Sequence, residues 1–375
     1  MLDRLPVELV QHVVRLTLPS PCHATYRVRQ DTLLALCRTS RALRGFAQPA
    51  LFEVVELASR EQVDSFLAAV KAKELGERVR SVQLIGDDFT EEGDYEFTEQ
   101  GCAFRLGSGD YTSLARSCPR VAELRIKHSP VDLAALQEFV CLQRLIITDS
   151  AADVSRPFVL PQVVELSLLD IWRLDNIPTV HAFPSLSALH IQMADYWHFK
   201  PEELLLLLPH IDAFSVYFRD FLYLAKAPAR TLASSLRVLF DFDPRGLQNL
   251  LYDAGTVLAA TTALRLNTHA VGFADYDYAE LTTDLRCLVA NLPDLAGLQH
   301  LLLPAELLQS DGLTEDCGRA FAELTAACEV RGIELVLEPQ EDFDFDSLVS
   351  PAFWRRCKAF KAREEEGNGK GGEQK

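Results

Sequence analysis

The chain has 375 residues, 48% of them apolar and 24% charged, a globular balance and enough sequence for one large or two ordinary domains. Its formal charge of −17 repels phosphate backbones, which speaks against a nucleic-acid partner, and its longest apolar run, Leu204 to Pro209, is far too short to cross a membrane. Nine scattered cysteines without a CxxC pair speak against a disulfide framework. The first residues carry Asp3, Arg4, Glu8, His12 and Arg15 where a signal peptide needs an apolar stretch, so a soluble cytoplasmic and/or nuclear protein with buried thiols is expected.

The first predicted element is a helix entered at Leu5-Pro6. Pro6 suits the first helical position, where its missing N–H would be unpaired anyway, and Glu8 falls in the first turn, where the helix dipole favours an anion. Leu9, Val10, Val13, Val14 and Leu16 form an apolar stripe, with Gln11, His12 and Arg15 towards the other side. Asp31 is expected to cap a second helix carrying Leu33, Leu34, Leu36 and Cys37, and Ser40 a third carrying Leu43 and Phe46. A bundle of roughly 50 residues is near the lower limit for a core stable by itself, so it gains from a partner or from packing on the rest of the chain.

The ordered run Leu5-Pro6-Val7-Glu8-Leu9, Leu33 to Cys37, Ser40 to Arg44, Phe46-Ala47, Pro49 to Phe52 and Val54 to Leu57 resembles the F-box. That module docks a receptor on the Skp-type adaptor of a cullin-RING ubiquitin ligase. The resemblance implies a non-enzymatic protein without a cofactor, docking through Leu5, Pro6, Glu8, Leu9, Val13, Leu36 and Leu43. Two features depart from the family pattern: a 17–31 link lengthened by Pro19, Pro21 and a polar run, and Ala42 where many F-boxes carry a large aromatic. A plain N-terminal helical cap for the following domain is the alternative.

Ser59-Arg60-Glu61-Gln62 signals a capping box opening a helix with Val63, Phe66, Leu67 and Val70. The chain then repeats an apolar-x-x-apolar-x-apolar unit. Copies stand at Val79/Val82/Leu84, Val121/Leu124/Ile126, Leu142/Leu145/Ile147, Val163/Leu166/Leu168, Leu186/Leu189/Ile191, Ile211/Phe214/Val216, Leu298/Leu301/Leu303 and Ile333/Leu335/Leu337. Weaker copies stand at Leu236/Leu239 and Thr261/Leu264/Leu266. The central copies step by 21 to 25 residues, the period of leucine-rich repeats, which this segment resembles.

The fold class expected is therefore α/β: an irregular leucine-rich-repeat solenoid preceded by a small all-α F-box helical bundle. Its divisions are 1–57 for the bundle, 58–78 for the connecting helix, 79–340 for the repeats with an acidic insertion at 86–101, 341–361 for a C-terminal cap or extension, and 362–375 for a disordered polar tail. Backing helices are expected at 133–140, 201–208, 246–253, 279–291 and 316–330. The places where the repeat family carries Asn or Cys hold Ser150, Ile171, Ala194, Arg219, Pro244 and His269, so the turns must satisfy their backbone groups without an asparagine ladder. A doubly wound sheet also alternates strands with helices, but 21-residue steps leave it little room for full crossovers.

In a solenoid the residues between the apolar positions face the concave side, here a mixed polar set including Glu123, Arg125, Lys127, Arg144, Thr148, Glu165, Ser167, His190, Gln192, Ser215, Tyr217, Arg265 and Asn267. Loops after the strands combine rings with carboxylates, the composition of a surface for a basic, partly apolar peptide. Trp172, Asp195, Tyr196, Trp197, Asp220, Phe221, Asp243 and Tyr276 are the candidate client-binding residues. Rings tucked back to close the loops are the alternative. The remaining 315 residues carry 29 basic and 49 acidic side chains against 8 and 5 in the first 60, a field that favours a basic client or serves solubility alone.

Reaction chemistry is not legible. Asp342-Phe343-Asp344-Phe345-Asp346 imitates the start of a calcium loop, yet Ser347 replaces the turn glycine and Phe353 the bidentate glutamate. Gly367 to Gly372 follows no strand and opens no helix, so it is no phosphate loop; HExxH, zinc-type cysteine–histidine spacing and GxSxG do not occur. The expected function is a ligase substrate receptor, or alternatively a repeat scaffold with no ligase role.

Overall fold

The computed structural model describes residues 7–18, 26–73, 75–86, 106–171, 173–174, 181–193, 211, 213–216, 239–242, 262–266, 278–304 and 314–338. The chain divides into two compact units, Met1–Ser185 and Leu186–Lys375.

The first unit opens with α1 (Val7–Thr17), α2 (Tyr26–Thr39) and α3 (Arg41–Ala50). Glu8 lies in the first turn of α1, and Ser40 caps α3 as the sequence indicates, its Oγ accepting the Leu43 N–H at 3.1 Å. Val10 and Val14 pack on Leu43, with Leu18, Leu36 and Phe46 partly buried around them. Asp31 caps nothing: α2 begins at Tyr26, and Asp31 is exposed inside it. Non-local bonds explain the earlier start, because Arg29 and Gln30 in the first turns reach Glu53, Leu51 and Val54. Residues 26–31 of the expected 17–31 link are thus helix, and residues 19–25 lie outside the described residues.

A turn carries α3 into β1 (Val54–Leu57), and α4 (Arg60–Lys73) follows. Ser59 caps α4, its Oγ accepting the Gln62 N–H at 3.2 Å, while Gln62 Oε1 reaches one residue further back than in a capping box and accepts the Ala58 N–H at 2.8 Å. Next come β2 (Ser81–Ile85), α5 (Ser108–Ser117), β3 (Glu123–Lys127), β4 (Val131–Asp132), β5 (Arg144–Thr148), β6 (Ala151–Asp153), β7 (Glu165–Ile171) and β8 (Arg173–Leu174). The 133–140 backing helix is a short 3-10 helix, Leu133–Glu138, because the 21-residue step leaves no length for more.

Strands β1, β2, β3, β5 and β7 form a parallel sheet in that order. Its register sets Val55, Val82, Leu124, Leu145 and Leu166 side by side, so equivalent apolar positions of successive sequence units share one row. All but Val55 are at most 1% exposed. A smaller parallel ladder joins β4, β6 and β8.

The second unit holds β9 (Ala188–Met193), β10 (Ala213–Val216), β11 (Leu239–Phe242), β12 (Ala263–Leu266), α6 (Tyr278–Asn291), β13 (His300–Pro304), α7 (Glu315–Arg331) and β14 (Glu334–Glu338). The strands pair in parallel in chain order, placing Leu189, Phe214, Phe240, Leu264, Leu301 and Leu335 in one row. Helices α6 and α7 fall on the backing segments 279–291 and 316–330 and pack together; 201–208 and 246–253 lie outside the described residues. Thr314 Oγ1 caps α7 by accepting the Cys317 N–H at 3.2 Å, and Gly332, at φ 70°, closes it in the left-handed conformation.

Strands β5 and β13 are buried on both faces. Leu145, Ile146 and Ile147 of β5 and Leu301, Leu302 and Leu303 of β13 all stay at or below 3% exposure, although neighbours along a strand point to opposite sides. The architecture is mixed α/β with parallel sheets. Among the described residues no helix is long and apolar enough to cross a membrane.

Candidate functional site

Helices α1 and α2 present apolar side chains outward. Leu9 is 51% exposed and Leu16 72%; seven residues apart, they lie two turns from each other on one side of α1. Val28 and Leu34 of α2 are 61% and 41% exposed. These four are half of the eight large apolar side chains exposed among the described residues.

Glu8 and Leu9, singled out by the sequence, stand on this exposed surface. Leu43 does not: at 5% exposure it is the centre of the bundle, and half-buried Leu36 packs against it. Val13 falls inside α1, while Leu5 and Pro6 lie outside the described residues. Leu16, Val28 and Leu34 were not singled out, although Leu16 repeats Leu9 after a heptad and Leu34 adjoins the fully buried Leu33.

The candidate client residues Trp172, Asp195, Tyr196, Trp197, Asp220, Phe221, Asp243 and Tyr276 lie outside the described residues, as do 87–101 of the acidic insertion. The expected polar face of the first sheet is described, and it is not an open surface. Arg125, Thr148, Glu165 and Ser167 are 6%, 7%, 2% and 1% exposed.

Its charges are paired across strands. Glu123 Oε1 accepts from Ser81 Oγ at 3.1 Å and from Arg125 Nε at 2.9 Å, while Glu123 Oε2 accepts from Arg144 Nη1 at 2.8 Å. Arg144 Nε donates to Glu165 Oε2 at 2.5 Å. Burial alone would weaken the charge of Arg144, but Glu123 and Glu165 outweigh it and raise its pKa. Two acids and two arginines cancel, so this face holds strands in register and exerts little net field. Gln83 Oε1 and Ser167 Oγ are buried on the same face without a hydrogen-bond partner.

In the second unit His190 is 3% exposed, neither ring nitrogen has a hydrogen-bond partner among the described residues, and burial lowers its pKa to about 3. Burial pushes the Cys118 thiol up to about 12 and raises Cys287, Cys317 and Cys328, the opposite of what a reactive thiolate needs. No cluster of three His, Cys, Asp or Glu side chains able to hold a metal occurs among the described residues. A shallow cleft beside Phe139, Leu142, Leu160 and Val163 is lined otherwise by Gln137, Val140, Pro161 and Gln162, a lining with no acid, base or nucleophile.

No family model matches the chain, and no curated protein matches it. Its own geometry therefore carries the functional reading.

Proposed function

We propose that this chain is a substrate receptor of a Skp-cullin-F-box ubiquitin ligase. The N-terminal helices dock on the Skp-type adaptor, and the two parallel-sheet units, read as an irregular leucine-rich-repeat solenoid, hold a client protein. Its contribution to ubiquitin transfer is proximity, which replaces a bimolecular encounter by one within the assembly.

The observation that carries this reading is the placement of exposed apolar surface. A bundle with a small core of Val10, Val14 and Leu43 turns Leu9, Leu16, Val28 and Leu34 to solvent. It lies within the first 60 residues, which have 8 basic and 5 acidic side chains, whereas the chain as a whole carries −17. Exposed large apolar side chains concentrated in one small module mark an interaction site more often than the same residues scattered over a whole surface do. The strands at 21-residue steps, each in register with the next, support the solenoid. Burial of β5 and β13 on both faces directs the client towards the loops after the strands. The reading also implies an intracellular compartment, cytoplasmic and/or nuclear, and a client of basic character.

A second reading is a repeat scaffold without a ligase role, favoured by the bonds from Arg29 and Gln30 to residues 51–54, which would equally hold a helical cap. Capture by the purified adaptor separates them. Micromolar capture of the wild type and its loss in Leu9→Asp/Leu16→Asp, with the far-ultraviolet spectrum unchanged, is the expected result. A wild-type chain that is not captured overturns the receptor reading.

A further inference from the structure

Glu53 joins the helical bundle to the first sheet. Its side chain accepts from Arg29 of α2 through Nη2–Oε2 at 2.8 Å, while its backbone carbonyl accepts the N–H groups of Arg80 and Ser81 at 2.9 and 3.1 Å, where the β1–β2 pairing begins. Beside it, Gln30 Nε2 donates to the Leu51 carbonyl at 3.1 Å and approaches that of Val54 at 3.5 Å. Tyr26, one turn back on the helix, is hydrogen-bonded to the backbone of Glu56. Three side chains in the first five residues of α2 thus grip Leu51 to Glu56.

A covalent turn alone would not fix the bundle. From α3 the chain enters β1 through Leu51, Phe52 and Glu53, and rotation about so short a segment can swing helices without breaking a sheet bond. A second attachment on a different helix removes that freedom. The Arg29 side chain is 7% exposed, so its ion pair is shielded on one side from the solvent competition that weakens surface pairs.

We infer that Arg29 and Gln30 are positioning residues, whose clasp on Leu51, Glu53 and Val54 sets the direction in which the docking helices leave the sheet. The inference rests on the receptor reading for its purpose, since a fixed direction determines which lysines a bound conjugating enzyme can reach. The clasp itself is independent of that reading.

The test uses the full chain with genetically encoded spin labels at exposed Arg38 on α2 and exposed Arg116 on α5. In wild type and in Arg29→Lys, which keeps a cation for Glu53, the label distance distribution is narrow. In Arg29→Ala/Gln30→Ala it is at least twofold broader while circular dichroism is unchanged. In the reconstituted ligase, with the chain's own lysines as the probe acceptors, the double variant retains adaptor capture but spreads ubiquitin over more lysines. An unchanged width in the folded double variant overturns the clasp. A broadened width with the wild-type lysine pattern overturns its positioning role. Failure of wild-type adaptor capture overturns the receptor reading alone, and the clasp is then judged by the width.

Discussion

The hydroxyl of Ser150 accepts the backbone N–H of Ser129 at 3.2 Å and donates to the Thr148 carbonyl at 2.6 Å, linking two turns that lie 21 residues apart. The residues just before these serines, His128 and Asp149, have φ of 51° and 46°, the left-handed conformation that bends the chain from β3 and β5 towards β4 and β6. Ser129 and Ser150 are 1% and 0% exposed, so water does not substitute for the hydroxyl. The short Ser150 side chain serves one neighbouring turn. Ser150→Ala removes both bonds, with an expected loss of about 1–3 kcal/mol in urea unfolding. A change within error would show that the turn does not depend on the hydroxyl.

Arg144 stands between Glu123 and Glu165, whose side chains are 16% and 3% exposed. Removing the arginine leaves two carboxylates close together in a poorly solvated place, and breaking such a pair costs about 3–5 kcal/mol. Arg144→Met is therefore expected to lower the unfolding midpoint steeply. Adding Glu165→Gln to that variant recovers part of the loss, because one stranded charge disappears. Additive effects in the double-mutant cycle would deny the coupling.

Gly76 is needed for space. A Cβ at this position would fall on the backbone carbonyl oxygen of Ser117 at the end of α5, and backbone cannot rotate out of the way as a side chain can. Gly76→Ala should destabilise the first unit by about 1–3 kcal/mol, the range for overpacking a filled interior. Gly109→Ala, with nothing within 4 Å of its Cβ, is the matched control and should leave the melting temperature nearly unchanged.

The strands were legible because their signal is local: an apolar-x-x-apolar-x-apolar unit recurs along the chain, and each of the ten sequence units coincides with a strand in the main sheets. The Ser40 and Ser59 caps were legible for the same reason, since a cap and its partner lie within three residues. The start of α2 was not, because Tyr26, Arg29 and Gln30 look like loop polarity until residues 51–56 lie beside them. The polar face was misjudged in a similar way. Glu123, Arg144 and Glu165 read as a solvated mixture, yet their pairing spans 21 residues and neutralises them in a buried sheet. In the helical bundle, Leu43 and Leu9 share apolar character, and only packing shows that one is core and the other exposed.

His190 couples the second unit to pH. Buried without a partner for either ring nitrogen among the described residues, it is held neutral, with its pKa lowered from the ordinary 6.5 to about 3 by burial. Between those two values the unfolded chain binds a proton that the folded chain refuses, so stability falls as pH is lowered. The slope from this group approaches about 1.4 kcal/mol per pH unit once the pH is well below 6.5, and the contribution is fully present only above that value. Other groups also titrate in acid, so the informative quantity is the difference between wild type and His190→Phe, a ring of similar shape that cannot be protonated. That difference should move in favour of the variant as urea unfolding is repeated from pH 7 down to pH 4.5. A difference independent of pH over this interval would mean that His190 is protonated in the fold, and that its surroundings supply an acceptor.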